Sequence, residues 1–526
     1  MKEKLPDFHK IKSSYKFLLE ETRNWSLDGT QQSTVYDTAW VASLSNRSGD
    51  LLYPEALYWI QTNQNKNGSW GFDVSFNSLL STLSSIATLL EIGKLKKNMH
   101  LGINFLNTSI KQENIIRSID TSHGIGISLL FHSLIDRCVS NGAEFEFNYE
   151  SYVKNYYFKL LKLGFLEREW SNSPLSFVAE ILPLHLDFSF LGDIKLKDGS
   201  IGSNPSTSAW YLKLLKMQDQ GINNNITSYL HYIKNNDNGW PSFSSSEVFT
   251  STFIGYISAK VSRQLFASFP AISRIISSNW RHDGLAFNGN FPFTDSDDTS
   301  LGLYLMDLTE NNGIPNERWD TLLEFKGNEC YNNYKSRYLN PTSNNATYEN
   351  EKSYSLNLHI LDAIFHSKNW KHKDEEINFI LSFLEDEIKL SGFSNDKWHI
   401  SPLYSNVHGI LSLADIDESL AEKCMRGITQ NQNKNGLWGK NGTELEDTSL
   451  GILGLSYYNN EVEKIDISNL YEAVEYLVSV VNDSHYYQLK ICPQWVSKIL
   501  YDPKEIREMH TIAALSVCIS ALQSSD

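Results

Sequence analysis

In the stretch FPFTDSDDTSLGLYLMDL, residues 291–308, three carboxylates fall within four positions: Asp295, Asp297 and Asp298. Aromatic residues precede them and an apolar, helix-like segment follows. Three kinds of chemistry fit. Thr294 or Asp295 can cap a helix whose first turn holds Asp297 and Asp298, the acids complementing the helix dipole. Clustered carboxylates also suit a hard divalent ion such as magnesium. Finally, carboxyl groups crowded among apolar neighbours cannot all ionise cheaply, so one keeps its proton at neutral pH and can act as a general acid. Such an acid would protonate even a base as poor as a carbon–carbon double bond. Trp280, Phe287, Phe291 and Phe293 lie just upstream and favour this third chemistry, because aromatic faces stabilise cations and exclude water. Composition alone does not choose among the three.

The elements that must position these acids are written as a recurring unit. QTNQNKNGSWG at 61–71 returns almost unchanged as TQNQNKNGLWG at 429–439, and looser copies begin near Lys197, Asn236, Arg281 and Ser391. Each copy has a polar turn, usually with Gly, then an aromatic or apolar residue, a Ser/Thr/Asp cluster and an apolar-periodic segment. Asn-Gly and Asp-Gly supply positive φ for a tight turn. The Ser/Thr/Asp residues cap the helix that follows. Apolar positions such as Leu301, Tyr304, Leu305 and Leu308 give it a buried face. Alternating strand runs bounded by hairpin turns are scarce. The expected fold is all-α, helical hairpins arranged in two α-barrels, with Trp70 and Trp438 bracing loops against neighbouring helices rather than serving chemistry.

With 526 residues, 41% hydrophobic and 12% aromatic, the chain can bury a large core and divide into more than one domain. A net charge of −16 without a Lys/Arg block argues against a nucleic-acid surface. No apolar run approaches the ~18 residues of a membrane span, and the charged N-terminus lacks the apolar core of a signal peptide. Five scattered cysteines, with no metal-ligand spacing, fit a reducing cytoplasmic setting.

The motifs together resemble the class II diterpene cyclases, of which copalyl diphosphate synthases are the type. STVYDTAWVASL (33–44), YPEALYWIQTNQNKNGSWG (53–71), DGSIGSNPSTSAWYL (198–212), DSDDTSLGLYLM (295–306), SYSLNLHIL (353–361) and WVSKILYDP (495–503) are similar to family motifs and occur in family order. The resemblance implies two barrels of the class II type: an N-terminal segment 1–22 packed on the β domain, a γ domain over 23–265, and a β domain over 266–526. It implies protonation-initiated cyclisation of a prenyl diphosphate that keeps its diphosphate. Geranylgeranyl diphosphate is the expected substrate and a bicyclic, copalyl-type or rearranged diphosphate the product. Asp297 takes the proton donor's place, with Asp295 and Asp298 orienting it, and Asn357 and Ser353 hydrogen-bonding the donor. Lys397 and Lys154 match diphosphate-contacting lysines. Asp120 and Glu113 are what remains of the stretch that helps hold Mg2+.

Two departures sharpen these expectations. The His/Asn pair that ends the reaction in plant enzymes aligns with Phe177 and Ser242, neither of which can hold a water in that way, so the product is expected not to be plain ent-copalyl diphosphate. No DDxxD or NSE-type motif for ionising a diphosphate occurs, so class I activity is not expected. A separate class I terpene synthase or phosphatase would process the product. Two alternatives stay open: a farnesyl diphosphate cyclase of the drimenyl type, and a non-catalytic α-toroid that binds a lipid or protein.

Overall fold

The structure, a computed structural model, describes residues 7–72, 75–110, 124–162, 170–185, 194–219, 221, 223–338, 352–394, 396–483, 486, 489 and 491–523. The described residues are helical apart from turns and one two-stranded antiparallel hairpin, Trp495–Val496 with Leu500–Tyr501.

Two rings of helices organise the chain. In the C-terminal ring, Glu247–Val261, Ser296–Thr309, Tyr354–His366, Tyr404–Leu413, Glu444–Glu461 and Lys504–Gln523 pack in succession, and the last closes onto the first. In the N-terminal ring, Val35–Ala42, Ser75–Ile92, Gly124–Ser140, the 3-10 segment Pro174–Ile181 and Pro205–Met217 close in the same way. Each ring has its own hydrophobic core. The helix Phe8–Glu21 lies against Lys504–Gln523 and Tyr471–Val481.

The repeated turn explains why both rings build alike. Gln64 Nε2 donates to Gly68 O and Asn98 O, both at 2.9 Å, and Trp70 Nε1 donates to Ile60 O at 2.8 Å. Gln432 repeats this with Gly436 O at 2.8 Å and Asn469 O at 3.0 Å, and Trp438 Nε1 reaches Ile428 O at 2.9 Å. Each glutamine thus ties its own turn to the start of the next helical segment, and each tryptophan ties the turn to the helix before it. Gly68 sits at φ +89°, where a Cβ would lie 2.4 Å from Leu101 O. Only glycine fits there.

Two expectations change. Ser296–Thr309 does not bury one face: all of Ser296 and Asp298–Asp307 is buried, because an inner helix has the barrel interior on one side and outer helices on the other. The expected boundary at 265 also fails. Glu247–Val261 belongs to the C-terminal ring, since Val248, Phe253 and Ile257 pack into that core while Trp240 is the last core residue of the N-terminal one before the hairpin. Among the described residues no helix is long and apolar enough to cross a membrane.

Candidate active site

The three aspartates share one turn and point to three different partners. Asp295 is drawn into place by its N–H on Leu285 O at 2.9 Å, and its Oδ1 accepts from Asp298 N at 2.9 Å as the N-cap of Ser296–Thr309. Asp298 Oδ1 accepts from Thr252 Oγ1, on the adjacent inner helix, at 2.7 Å. Asp297 Oδ1 lies 2.7 Å from His359 Nδ1, on the inner helix to the other side. Asp295 and Asp298 are buried, and Asp297 alone of the three keeps partial exposure. The capping role is therefore real for Asp295 and compatible with acid chemistry at Asp297. Burial and the charge of Asp298 hold the Asp295 carboxyl well above the usual carboxylate range. Burial, opposed by the Thr252 hydrogen bond and reinforced by Asp297, pushes Asp298 up to about 7. The flanking carboxyls thus retain protons near neutrality.

All three line a cavity of about 310 Å³ between the two rings. Its walls are aromatic, with Phe177, Phe249, Phe253, Phe287, Tyr404 and Trp495 among them, and Lys397 is its cationic contribution beside Lys498. Lys498 is already held by Glu180 Oε1 at 2.6 Å and Asn204 Oδ1 at 2.8 Å. A larger cavity of about 750 Å³ opens in the N-terminal ring around Trp40, Glu91, Arg137 and Lys213. It contains none of the three aspartates. An apolar cavity with one engaged carboxyl can hold a hydrocarbon chain and receive its cations.

No protein-family model matches the chain. Its sequence is 24% identical to the bifunctional premutilin synthase of Clitopilus passeckerianus, across 94% of this chain and 54% of that one. It is 24% identical to the copalyl diphosphate synthase of Talaromyces verruculosus, across 93% and 53%, and 23% identical to the type B diterpene cyclase of Mycobacterium tuberculosis, across 92% and 95%. In fold it matches the ent-copalyl diphosphate synthase of Streptomyces platensis with a TM-score of 0.71 at 17% identity, covering 96% of this chain and 99% of that one. The Arabidopsis thaliana ent-copalyl diphosphate synthase gives 0.66 at 17%, covering 96% and 63%. Over nearly its whole length the chain is thus similar to class II diterpene cyclases, in sequence and in fold. It spans about half the length of the premutilin and Talaromyces synthases.

Within this fold, several expected site residues take other places. Asn357 does not meet Asp297. Its Oδ1 accepts from Tyr331 N at 2.9 Å, and its Nδ2 donates to Tyr331 O at 3.2 Å and Ser353 O at 2.9 Å. Ser353 is the N-cap of Tyr354–His366, accepting from Leu356 N at 3.3 Å. Both anchor the helix; neither touches the acid. The residue that does is His359, inside the same quoted stretch. Positions two apart on a helix point ~200° apart, so a side chain at 357 turned to the Tyr331 loop leaves 359 to face Asp297. That angular rule was the available signal.

Phe177 lines the cavity, but Ser242 does not: its hydroxyl reaches Asp37 Oδ2 at 3.5 Å and the neighbouring Phe243 takes the wall. Trp280 lies outside the lining, with the Arg318 guanidinium 5.7 Å from its ring centre. Phe287 and Phe291 line the cavity, and Phe293 packs behind them on Tyr338. Lys397 lines the cavity, its Nζ 4.8 Å from the Trp398 ring, whereas Lys154 is exposed on Tyr149–Lys162 and is not part of the lining. Asp120 and Glu113 lie outside the described residues. Among the described residues no group of three His, Cys, Asp or Glu is placed to hold a metal ion.

Proposed function

We propose that the chain cyclises a prenyl diphosphate, geranylgeranyl diphosphate first, by protonating its terminal alkene and leaving the diphosphate attached. One observation carries this: a carboxyl, Asp297, engaged on one oxygen by His359 and presented to an aromatic-walled cavity between two rings of helices. The free oxygen of Asp297 delivers its proton to the alkene, whose π electrons form the new C–H bond and leave a tertiary cation. Successive double bonds attack that cation to close two rings, while the aromatic walls stabilise the charge and exclude water; the last cation is discharged by losing a proton from a neighbouring carbon, or by taking up a water that loses one. Asp297 is left as a carboxylate beside the His359 N–H, which stabilises it until it is reprotonated. Lys397 supplies positive charge for the diphosphate. Mg2+ would add to that charge if Asp120 and Glu113 help to bind it.

Phe177 and Phe243, where a water-holding pair would stand, support a product other than plain ent-copalyl diphosphate: another stereoisomer, a rearranged skeleton or a water-captured alcohol. Because the diphosphate is kept, a class I terpene synthase or a phosphatase consumes the product. Five cysteines, none of them in a disulfide among the described residues, support a reducing compartment such as the cytosol. Incubation with the C15, C20 and C25 diphosphates, followed by phosphatase treatment and mass spectrometry, tests this reading. A cyclised C20 alcohol, distinct from the ent standard on a chiral column, is expected. Turnover of the C15 substrate alone would make the chain a drimenyl-type cyclase, and release of inorganic diphosphate in step with substrate loss would overturn the reading.

A further inference from the structure

Behind the pair of Asp297 and His359 stands a second buried histidine. His408, on the inner helix Tyr404–Leu413, places Nδ1 2.7 Å from His359 Nε2. It is fully buried, with the Tyr404 ring centre 4.3 Å away and the His510 ring edge-on at 5.9 Å. Its own Nε2 is buried and has no hydrogen-bond partner among the described residues. Burial first, then the neighbouring His359, His510 and His399, hold His408 well below the usual histidine range, so it is neutral and carries one N–H.

Where that single proton sits decides the geometry at Asp297. Only one hydrogen can occupy the line between His359 Nε2 and His408 Nδ1. If His359 provides it, the proton of His408 must sit on Nε2, a buried N–H without an acceptor. An orphaned buried donor is costly and rare, whereas an unpaired acceptor lone pair is better tolerated. If His408 provides it from Nδ1, its Nε2 is only a bare lone pair. His359 then accepts at Nε2 and carries its own proton on Nδ1, facing Asp297 Oδ1. That oxygen becomes an acceptor, and the acid proton of Asp297 is left to Oδ2 and the cavity.

We infer that His408 is a positioning residue for the proton donor: by donating to His359 it sets the His359 tautomer that keeps the proton of Asp297 on the oxygen facing the substrate. In other sites the hydrogen bond made by one imidazole nitrogen decides which nitrogen is protonated, and a wrong tautomer with intact geometry costs about 10⁴ in kcat in the serine-protease case. This inference rests on the proposed function.

The experiment uses the full chain in two arms. The first is kinetic. Wild-type cyclisation with an inactive Asp297→Asn establishes the reading itself. His408→Phe then keeps the buried volume but cannot donate, and kcat is expected to fall by about 10²-fold or more at unchanged KM. His408→Asn, whose amide nitrogen overlays Nδ1 and can donate, is expected to recover most of that loss. Full kcat in the Phe variant, or equal loss in both variants, would overturn the inference while leaving the proposed function standing. The second arm needs no turnover and no variant that folds poorly. The ¹⁵N chemical shifts of the wild-type imidazoles report which ring nitrogen is protonated, and His359 is expected to carry its proton on Nδ1. A proton on His359 Nε2 would overturn the inference whatever the activities.

Discussion

Asp297 and Asp298 are adjacent in the chain, yet one meets His359 and keeps partial exposure while the other is buried on Thr252. Substitution should separate them. Asp297→Asn keeps an oxygen for His359 but delivers no proton of comparable acidity, so cyclisation should fall by about 10³-fold or more, general acids contributing about 10²–10⁴. Circular dichroism and the melting temperature should stay near wild type; an active, merely less stable variant would leave Asp297 as helix decoration. Asp298→Asn should show itself in stability instead. With its folded value raised to about 7 from an ordinary value near 3.8, Asp298 favours the fold while protonated. That contribution is complete below about pH 4 and is lost as pH rises through about 7. Wild type should therefore lose ground to Asp298→Asn between pH 5 and 7.5 in urea unfolding. An equal gap at both pH values would show that Asp298 does not titrate there.

At the scale of elements, the Gln/Trp turns are structural devices and should behave as such. Gln64→Ala and Gln432→Ala each remove two side-chain hydrogen bonds to backbone carbonyls, at about 0.5–1.5 kcal/mol apiece. Each should cost about 1–3 kcal/mol of stability, read from denaturant midpoints, while kcat stays within about twofold. Because the two turns belong to separate cores, their costs should add in the double variant. A strong loss of kcat from either would mean that a turn far from the aspartates controls the cavity. The same inner-ring logic explains the distribution of site residues. Thr252, Asp297, His359 and His408 come from four consecutive inner helices, so no two of them need be close in sequence to meet.

For the whole molecule, the decisive contact crosses between the rings. Lys498, on the Trp495–Tyr501 hairpin, places its Nζ 2.6–3.0 Å from side-chain oxygens of Glu180, Asn204, Ser206 and Thr207 of the N-terminal ring, all of these groups being buried. Lys498→Met should leave the Glu180 carboxylate uncompensated and cost about 3–5 kcal/mol, with partial recovery in the double variant with Glu180→Gln. Thermal unfolding measures both. A neutral outcome for the single variant would show that the rings hold together without this pair. Much of the architecture could be read along the chain, because a turn with its Gly, Gln and Trp, followed by a capped apolar helix, is specified by neighbours a few residues apart. The cluster of three acids was equally local, and its crowding already implied a retained proton. What the chain alone did not disclose depends on rotation and closure. A ~200° step along one helix sent Asn357 to a loop and His359 to the acid. A neighbouring aspartate turned Ser242 away from the cavity and left Phe243 in its place. Closing the second ring took Glu247–Val261 out of the first domain. Each of these is set by partners tens to hundreds of residues away, and by the requirement that every buried polar group find one, which only the assembled rings can satisfy.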